Sequence, residues 1–341
     1  MSLESNSTVS IEMSQPTSVE EIIPFLEYAV LVAREAGAII KDVFYSKSTS
    51  LHIKDENPTD LVTATDQLVE KLVFGKLKEK YPHHKFVGEE TTASGEAWKL
   101  TDEPTWIVDP IDGTTNFVHG FPFVAVSIGL AINKEPVVGV VYNPILDELY
   151  TGAKGYGAQL NGATLPLTHP NPPPLPDLAH CLFVTEYGAD RNPSVINSKV
   201  SSIHRMASAN SSVPAGGHVR GIRSTGSAAL NLCMLARGGS DIYWEIGVHV
   251  WDIAAAMIIL QESGGLVVDG TGRWGVGAKP REEWSQEIRN LNINILGRKV
   301  LGIRAAGDSS DGTSGKENSY RILEEALSLF EDISVDHDGN I

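Results

Sequence analysis

Cysteine is almost missing from this 341-residue chain: Cys181 and Cys233 are the two present, in separate apolar segments. That excludes a disulfide-stapled scaffold; one bridge can still be drawn, but buried free thiols in a reducing compartment are expected. Positive charge is also scarce, with 27 Lys and Arg against 43 Asp and Glu and a net charge of −16. Such a field argues against nucleic acid or an anionic membrane as the main partner. It would also repel an anionic substrate unless bound cations reversed it locally. Long hydrophobic runs are lacking, since the longest helical one, Ile253 to Leu260, falls far short of a bilayer span. The opening MSLESNSTVSIEMS has neither a basic n-region nor an apolar h-region, so no secretory leader is expected and the cytoplasm is the default location.

Familiar catalytic signatures are missing as well. The ten histidines never fall at a zinc spacing, and His83-His84 reads as a solvated turn. No Walker A run or Gly-x-Ser-x-Gly elbow occurs. Gly270 to Gly275 matches GxGxxG, but no βαβ unit surrounds it, so a dinucleotide site is not expected.

What is present is ordinary globular composition, 42% apolar and 21% charged, in a length that suits one large α/β unit or two smaller domains. Residues 1–17 are polar and aperiodic and read as a disordered tail. Helices are expected from Ser18 to Tyr45, Leu61 to Tyr81 (with Leu68, Leu72 and Leu77 in the core), Pro193 to Ala207, Ser227 to Ala236, His249 to Ser263 and Tyr320 to Phe330. Strands are expected at Lys85 to Gly88, in a hairpin turning at Asn133-Lys134, and at Cys181 to Thr185, Asp241 to Glu245, Leu266 to Asp269 and Asn292 to Leu296. The stretch HPNPPPLP, residues 169–176, suits neither helix nor sheet interior and marks a possible subdomain boundary. A polyproline ligand for a partner module is its alternative reading. Residues 208–217 read as a flexible loop, and residues 305–341 as a linker, a terminal helix and an acidic tail.

The most informative stretch is WIVDPIDGTTNFVHGFPF, Trp106 to Phe123. Its apolar lead-in reads as a buried strand finished by Asp109, with Pro110 removing a ladder donor. Asp112 to Thr115 then read as a turn opening a short helix. Carboxylates hold hard cations and helix N-termini hold phosphate, so the pairing points to metal-dependent phosphate chemistry. Further carboxylates stand at element ends: Asp66, Glu89, Glu245 and Asp252. Any one alone reads as a cap or a solvated turn; an all-oxygen set together suits Mg²⁺ and not Zn²⁺.

The segments Gly88-Glu89-Glu90, WIVDPIDGTTNFVHG and Val250 to Ala255 (VWDIAA) resemble the signatures of the inositol monophosphatase family. The likeness extends over Asp60 to Gln67, Phe123 to Asn133 and Gly221 to Asn231, and covers roughly residues 19–300. It implies an alternating αβαβα layered sandwich for residues 18–304, and a Mg²⁺-dependent, lithium-sensitive phosphomonoesterase that works as a homodimer on inositol monophosphates. Carried over, Glu89, Asp109 and the Ile111 carbonyl would hold one Mg²⁺, Asp109, Asp112 and Asp252 a second, and Glu89 would help hold a looser third through waters. Thr114, hydrogen-bonded to Asp66, would orient the attacking water, with Glu89 completing the catalytic set. The amides of Gly113 and Thr114 would receive the phosphate. Glu245 and the backbone from Gly226 through Ser227 to Ala228 would contact the inositol hydroxyls. Ser227 replaces a Thr usual in close relatives. Rival readings are a phosphatase for another small phosphomonoester (a sugar phosphate, histidinol phosphate or a nucleotide 3′-phosphate) and a non-catalytic regulatory protein on this fold.

Overall fold

The computed structural model describes residues 18–46, 51–53, 61–209, 216–274, 293–336 and 338. The polar tail at 1–17, the Asn57-Pro58 turn and most of the 208–217 loop lie outside the described residues. Ser18 opens the first helix with a reciprocal cap. Its hydroxyl accepts from the Glu21 N–H at 3.4 Å, and its own N–H donates to the Glu21 carboxylate at 3.1 Å. The helix, α1 (Val19–Ser46), turns Ile22, Leu26, Ala29, Ala33, Ala36 and Ile40 inward at three- and four-residue intervals.

The second helix starts later than the pattern predicts. Leu61–Thr63 instead forms a strand, β2, antiparallel to β1 (Leu51–Ile53), and α2 runs over Ala64–Lys80. Its inward face is Val69, Val73 and Leu77, in line with the buried Thr65 and Asp66. Leu68, expected in the core, is 51% exposed, one position off that stripe.

Seven strands follow in chain order across one sheet: β3 (Lys85–Gly88), β4 (Thr105–Asp112), β5 (Ala125–Ile132), β6 (Glu135–Asn143), β7 (Glu148–Ala153), β8 (Gly157–Leu160) and β9 (Ala163–Thr164). Short helices α3 (Glu89–Ala93) and α4 (Thr114–His119) leave the ends of β3 and β4. The β5–β6 hairpin turns through Asn133 and Lys134, both left-handed, as a two-residue turn matched to strand twist requires.

The second sheet has the order β11-β10-β12-β14-β13, from β10 (Leu182–Thr185), β11 (Gly221–Arg223), β12 (Ile242–Ile246), β13 (Leu266–Asp269) and β14 (Lys299–Ile303). The last strand was expected at Asn292 to Leu296; residues 293–296 are loop and turn, and the ladder begins at Lys299, which pairs with Ile246 of β12. Helices α5 (Pro193–Ala207), α6 (Ala228–Arg237), α7 (Val250–Glu262) and α8 (Gly315–Leu329) complete the described set.

The layers alternate. One apolar core joins α1 and α2 to the seven-stranded sheet, a second buries α6 and α7 between the two sheets, and a third seals the outer face of the five-stranded sheet with α8. Between the sheets α7 is apolar and buried from Ile253 through Leu260, as a helix covered on every side must be. It beds into a trench of glycines. Gly129, Gly139 and Gly152 are register partners on three adjacent strands. A Cβ on Gly139 would overlap the Ala255 carbonyl and stand 2.6 Å from Ile258 Cγ2; one on Gly152 would stand 2.9 Å from the Ile259 Cα. Helix and sheet approach this closely because those three side chains are absent.

The Pro-rich stretch lies on the path from β9 to β10 and is packed against its own chain. Leu175 is buried, Arg304 donates to the Pro173 carbonyl at 2.8 Å, and Arg321 donates to the Pro176 carbonyl at 2.6 Å. The GxGxxG match also has a packing account for its described part: a Cβ on Gly272 would overlap the Phe330 and Glu331 carbonyls.

Candidate active site

The site is built where β3, β4 and β12 end and α7 begins. In an unbroken strand Asp109 and Asp112, three residues apart, would face opposite sides of the sheet. Pro110 cannot donate to the ladder, and the register with β5 shifts between Asp109, opposite Ser127, and Asp112, opposite Ala125. The strand was expected to stop at Asp109; it resumes after this irregularity, which brings both carboxylates to one cavity of about 450 Å³. The Ile111 N–H donates to Asp109 Oδ1 at 3.0 Å and fixes the kink.

That cavity is also lined by Glu89, Ile111, Gly113, Thr114, Gly226, Ser227, Ala228, Glu245 and Asp252, so the structure brings together every candidate site residue except Asp66, which stands one hydrogen bond behind the wall. The Thr114 hydroxyl lies 3.3 Å from Asp66 Oδ1 and 3.1 Å from the Ile111 carbonyl, so its one proton is committed to one of these acceptors. Gly113 turns the chain into α4 with φ +94°, and a Cβ there would press on the Phe123 carbonyl at 2.9 Å. First-turn amides of such a helix have no intrahelical acceptor.

Asp112 faces two ways. Besides lining the cavity it accepts from the Ser227 hydroxyl at 2.6 Å, the Ala229 N–H at 2.7 Å and the Ala228 N–H at 3.2 Å, closing the N-terminus of α6. Ser227 is the N-cap of that helix, its oxygen accepting from the Leu230 N–H at 3.2 Å. Asp252 likewise serves its own helix, accepting from the His249 N–H at 2.7 Å.

Burial dominates the electrostatics. Desolvation, then Glu89, Asp112, Asp252 and Asp66 as like charges, push the Asp109 carboxyl well above its ordinary range. Asp252 is raised well above it by burial and then by Asp112, and Asp112 by burial to about 6, against the pull of its three donors. Burial, then Glu186, raises Glu245 to about 8, against the Tyr243 hydroxyl that donates to it. A set of buried carboxylates that repel one another this way accepts protons or cations.

Sequence reasoning missed the residues that hold this set in place. Glu70, buried on α2, accepts from the Glu90 N–H at 2.8 Å and the Thr91 N–H at 2.9 Å, and so seats α3 and Glu89. Glu186 accepts from the Thr225 N–H at 2.6 Å, the Gly226 N–H at 2.8 Å and Asn231 Nδ2 at 3.0 Å, and so shapes the 224–226 loop. Asn116 ties α4 to that loop through the Thr225 carbonyl at 2.7 Å. Of the backbone amides assigned to substrate contact, those of Gly226 and Ala228 therefore donate to Glu186 and Asp112. Asp338 accepts from the Val250 N–H at 2.8 Å and pairs with His249 at 2.7 Å, closing the start of α7. Glu186 directly follows the strand β10, as Glu89 follows β3, and the same signal would have found it.

A model of the inositol monophosphatase family matches residues 22–296. Inositol monophosphatase 1 of Rattus norvegicus is 49% identical over 247 residues, covering 72% of this chain and 84% of that protein. Its counterpart in Homo sapiens is 44% identical over 275 residues, covering 81% and 92%. The solved structure of inositol monophosphatase from Anabaena superposes with a TM-score of 0.65 at 28% identity, covering 92% of this chain and 98% of that one. With the αβαβα layers and the shared carboxylate cavity already described, these matches show that the chain belongs to the inositol monophosphatase family of phosphoric monoester hydrolases.

Proposed function

We propose that this chain hydrolyses inositol monophosphates to inositol and phosphate with Mg²⁺ as cofactor. One observation carries the reading: the buried Asp109 and Asp112 and the half-buried Glu89 and Asp252 line one cavity as mutually repelling oxygen donors. Among the described residues no three acidic or imidazole side chains converge as a ready-made metal cage. The fit to Mg²⁺ rests on the all-oxygen lining of the cavity, since this ion takes one or two carboxylates and keeps waters and substrate phosphate in its other positions. Glu89, Asp109, the Ile111 carbonyl, Asp112 and Asp252 would hold the ions, two or three in number. When bound they would supply charge neutralisation at the phosphate and a water of lowered pKa.

The protein's own groups set the geometry. With its proton directed at Asp66 or the Ile111 carbonyl, Thr114 Oγ1 offers its lone pairs to a water in the cavity and orients it toward phosphorus. Gly113 and Thr114 would present amides to the phosphate at the start of α4. Glu245 would bond the ring hydroxyls, assisted by the Gly226 to Ala228 wall. The catalytic unit is residues 18–304, with α8 packed on it. Lithium inhibition, a homodimeric state and a cytoplasmic location complete the reading; nucleic acid and membrane are not partners in it.

Phosphate release from inositol 1-phosphate tests the proposal. Purified protein with Mg²⁺ should turn the ester over, and EDTA or Asp109→Asn should reduce the rate about a hundred- to a thousandfold, the loss expected on removing a principal electrostatic element. No turnover with Mg²⁺ present refutes it, and ranking a panel of phosphomonoesters by kcat/KM would then identify the substrate.

A further inference from the structure

One buried cation near the cavity has no part in the account above. Lys199 lies on α5 and is 1% exposed; the helix's other cation, Arg205, is also buried but points away to the Leu329 carbonyl and Glu331. Its Nζ donates to the Tyr187 carbonyl at 2.8 Å and to the Ile246 carbonyl at 2.8 Å. Tyr187 and Gly188 line the catalytic cavity, and Ile246 directly follows Glu245 at the end of β12. The lysine thus ties a wall of the cavity to the strand end that presents Glu245. Gly188 marks how close the groups are: a Cβ there would stand 3.1 Å from Lys199 Nζ and 4.0 Å from Glu245 Oε1.

An ammonium has three N–H groups, and two are given to carbonyls. Burying a lysine costs rotamer freedom and hydration, and the desolvation lowers its own pKa. A purely structural staple between two carbonyls could be made by a neutral donor without that cost. The charge itself acts on Glu245. Of the groups that face Glu245, Glu186 and Asp112 oppose its ionisation, while Lys199 and the Tyr243 hydroxyl favour it.

We propose that Lys199 is a positioning residue for the alcohol half of the substrate: it pins Tyr187-Gly188 to the end of β12 and sets its charge behind Glu245, so that this carboxylate accepts hydroxyl groups of a polyol phosphate. The inference rests on the reading of Glu245 as the hydroxyl-binding group. Lys199 Nζ bonds the Tyr187 and Ile246 carbonyls and none of the carboxylates of the metal set, and its effect therefore falls on substrate binding and discrimination.

The test compares wild type with Lys199→Met, which keeps length and apolar packing, and with Lys199→Arg, which keeps the charge. Each is assayed with Mg²⁺ on inositol 1-phosphate and on phenyl phosphate, whose leaving group carries no aliphatic hydroxyl. Lys199→Met should raise KM for inositol 1-phosphate about tenfold, the size expected when a charge-assisted contact is weakened, with a much smaller change in kcat and in phenyl phosphate turnover. Lys199→Arg should recover most of that loss. A double variant with Glu245→Gln should show no additional effect of Lys199→Met, because the carboxylate it serves is gone. Equal losses on both esters, or no loss on either, overturn the proposal while leaving the inositol phosphatase reading standing. A wild-type enzyme that turns over phenyl phosphate and leaves inositol 1-phosphate intact overturns both. If Lys199→Met does not fold, the Arg variant decides alone: it must keep the wild-type preference between the two esters, and loss of that preference counts against the proposal.

Discussion

Gly88→Ala is a single added methyl group whose effect can be followed from the sheet edge into the site. The backbone there is extended, with φ −137°, so alanine meets no conformational objection. The objection is steric. The new Cβ would stand 2.6 Å from Glu70 Cδ and 2.7 Å from Phe74 Cζ. Phe74 is buried in the core, so the Glu70 carboxylate has to yield. That carboxylate seats α3 through two N–H donors, at 2.8 and 2.9 Å. Hydrogen bonds to a charged group are each worth about 1.5–3 kcal/mol, so losing both should cost about 3 kcal/mol or more. Glu89, the first residue of α3, should move with it, and the Mg²⁺ concentration for half-maximal activity should rise. Urea unfolding without metal gives the stability change, and a Mg²⁺ titration of phosphate release gives the second. Glu70→Gln, which keeps the shape and one acceptor oxygen, should lose about half as much stability. Unfolding of Gly88→Ala at the wild-type urea midpoint would refute the chain of reasoning from methyl group to Glu70 to α3.

Two further outcomes follow from the same carboxylates. Asp112 rises from an ordinary 3.8 to about 6 on folding, and Glu245 from 4.5 to about 8. The folded chain therefore binds protons more tightly than the unfolded one across this window, and metal-free stability should fall as pH rises from about 4 to about 8. In the proposed reading Mg²⁺ replaces those protons, so its effect on Tm should be small at pH 5 and large at pH 8; an effect that shrinks with rising pH would contradict the assignment. Ser227→Ala removes both the α6 N-cap and a donor to Asp112, and should cost about 1–2 kcal/mol in urea unfolding together with weaker Mg²⁺ activation. Unchanged Mg²⁺ activation would mean that Ser227 serves the helix alone.

Much of the architecture could be read directly from residue patterns. The Ser18 cap, the Asn133-Lys134 hairpin and the Ala- and Ile-rich α7 are local signals that tertiary structure did not override. The carboxylates of the site were legible because each stands at an element end, where a charge on an apolar strand or helix is conspicuous. What escaped was of two kinds. The phase of α2 was misjudged at Leu68, because the stripe is set by Asp66 and Thr65, polar residues buried through partners distant in sequence. The supports of the site, Glu70, Asn116 and Asp338, were invisible because their roles consist of bonds across 20, 109 and 88 residues. A periodic pattern records which face is buried. It carries no information about which distant amide a buried carboxylate will meet.

The trench under α7 works as a ruler. Asp252 reaches the cavity from the first turn of that helix, while Asp109 and Asp112 reach it from β4, next to β5 in the same sheet. The vertical offset between the two parts of the site is therefore the thickness of the helix–sheet contact, and three glycines set that thickness by contributing no side chain. A methyl group on Gly139, which would press on Ala255 and Ile258 of α7, would lift Asp252 relative to Asp109 and Asp112 by a fraction of the trench depth. If the carboxylates hold Mg²⁺ as proposed, tolerance for cations of different radius becomes a property of the strands beneath α7 as much as of the carboxylates themselves, and the place to tune it is a row of glycines buried under a helix.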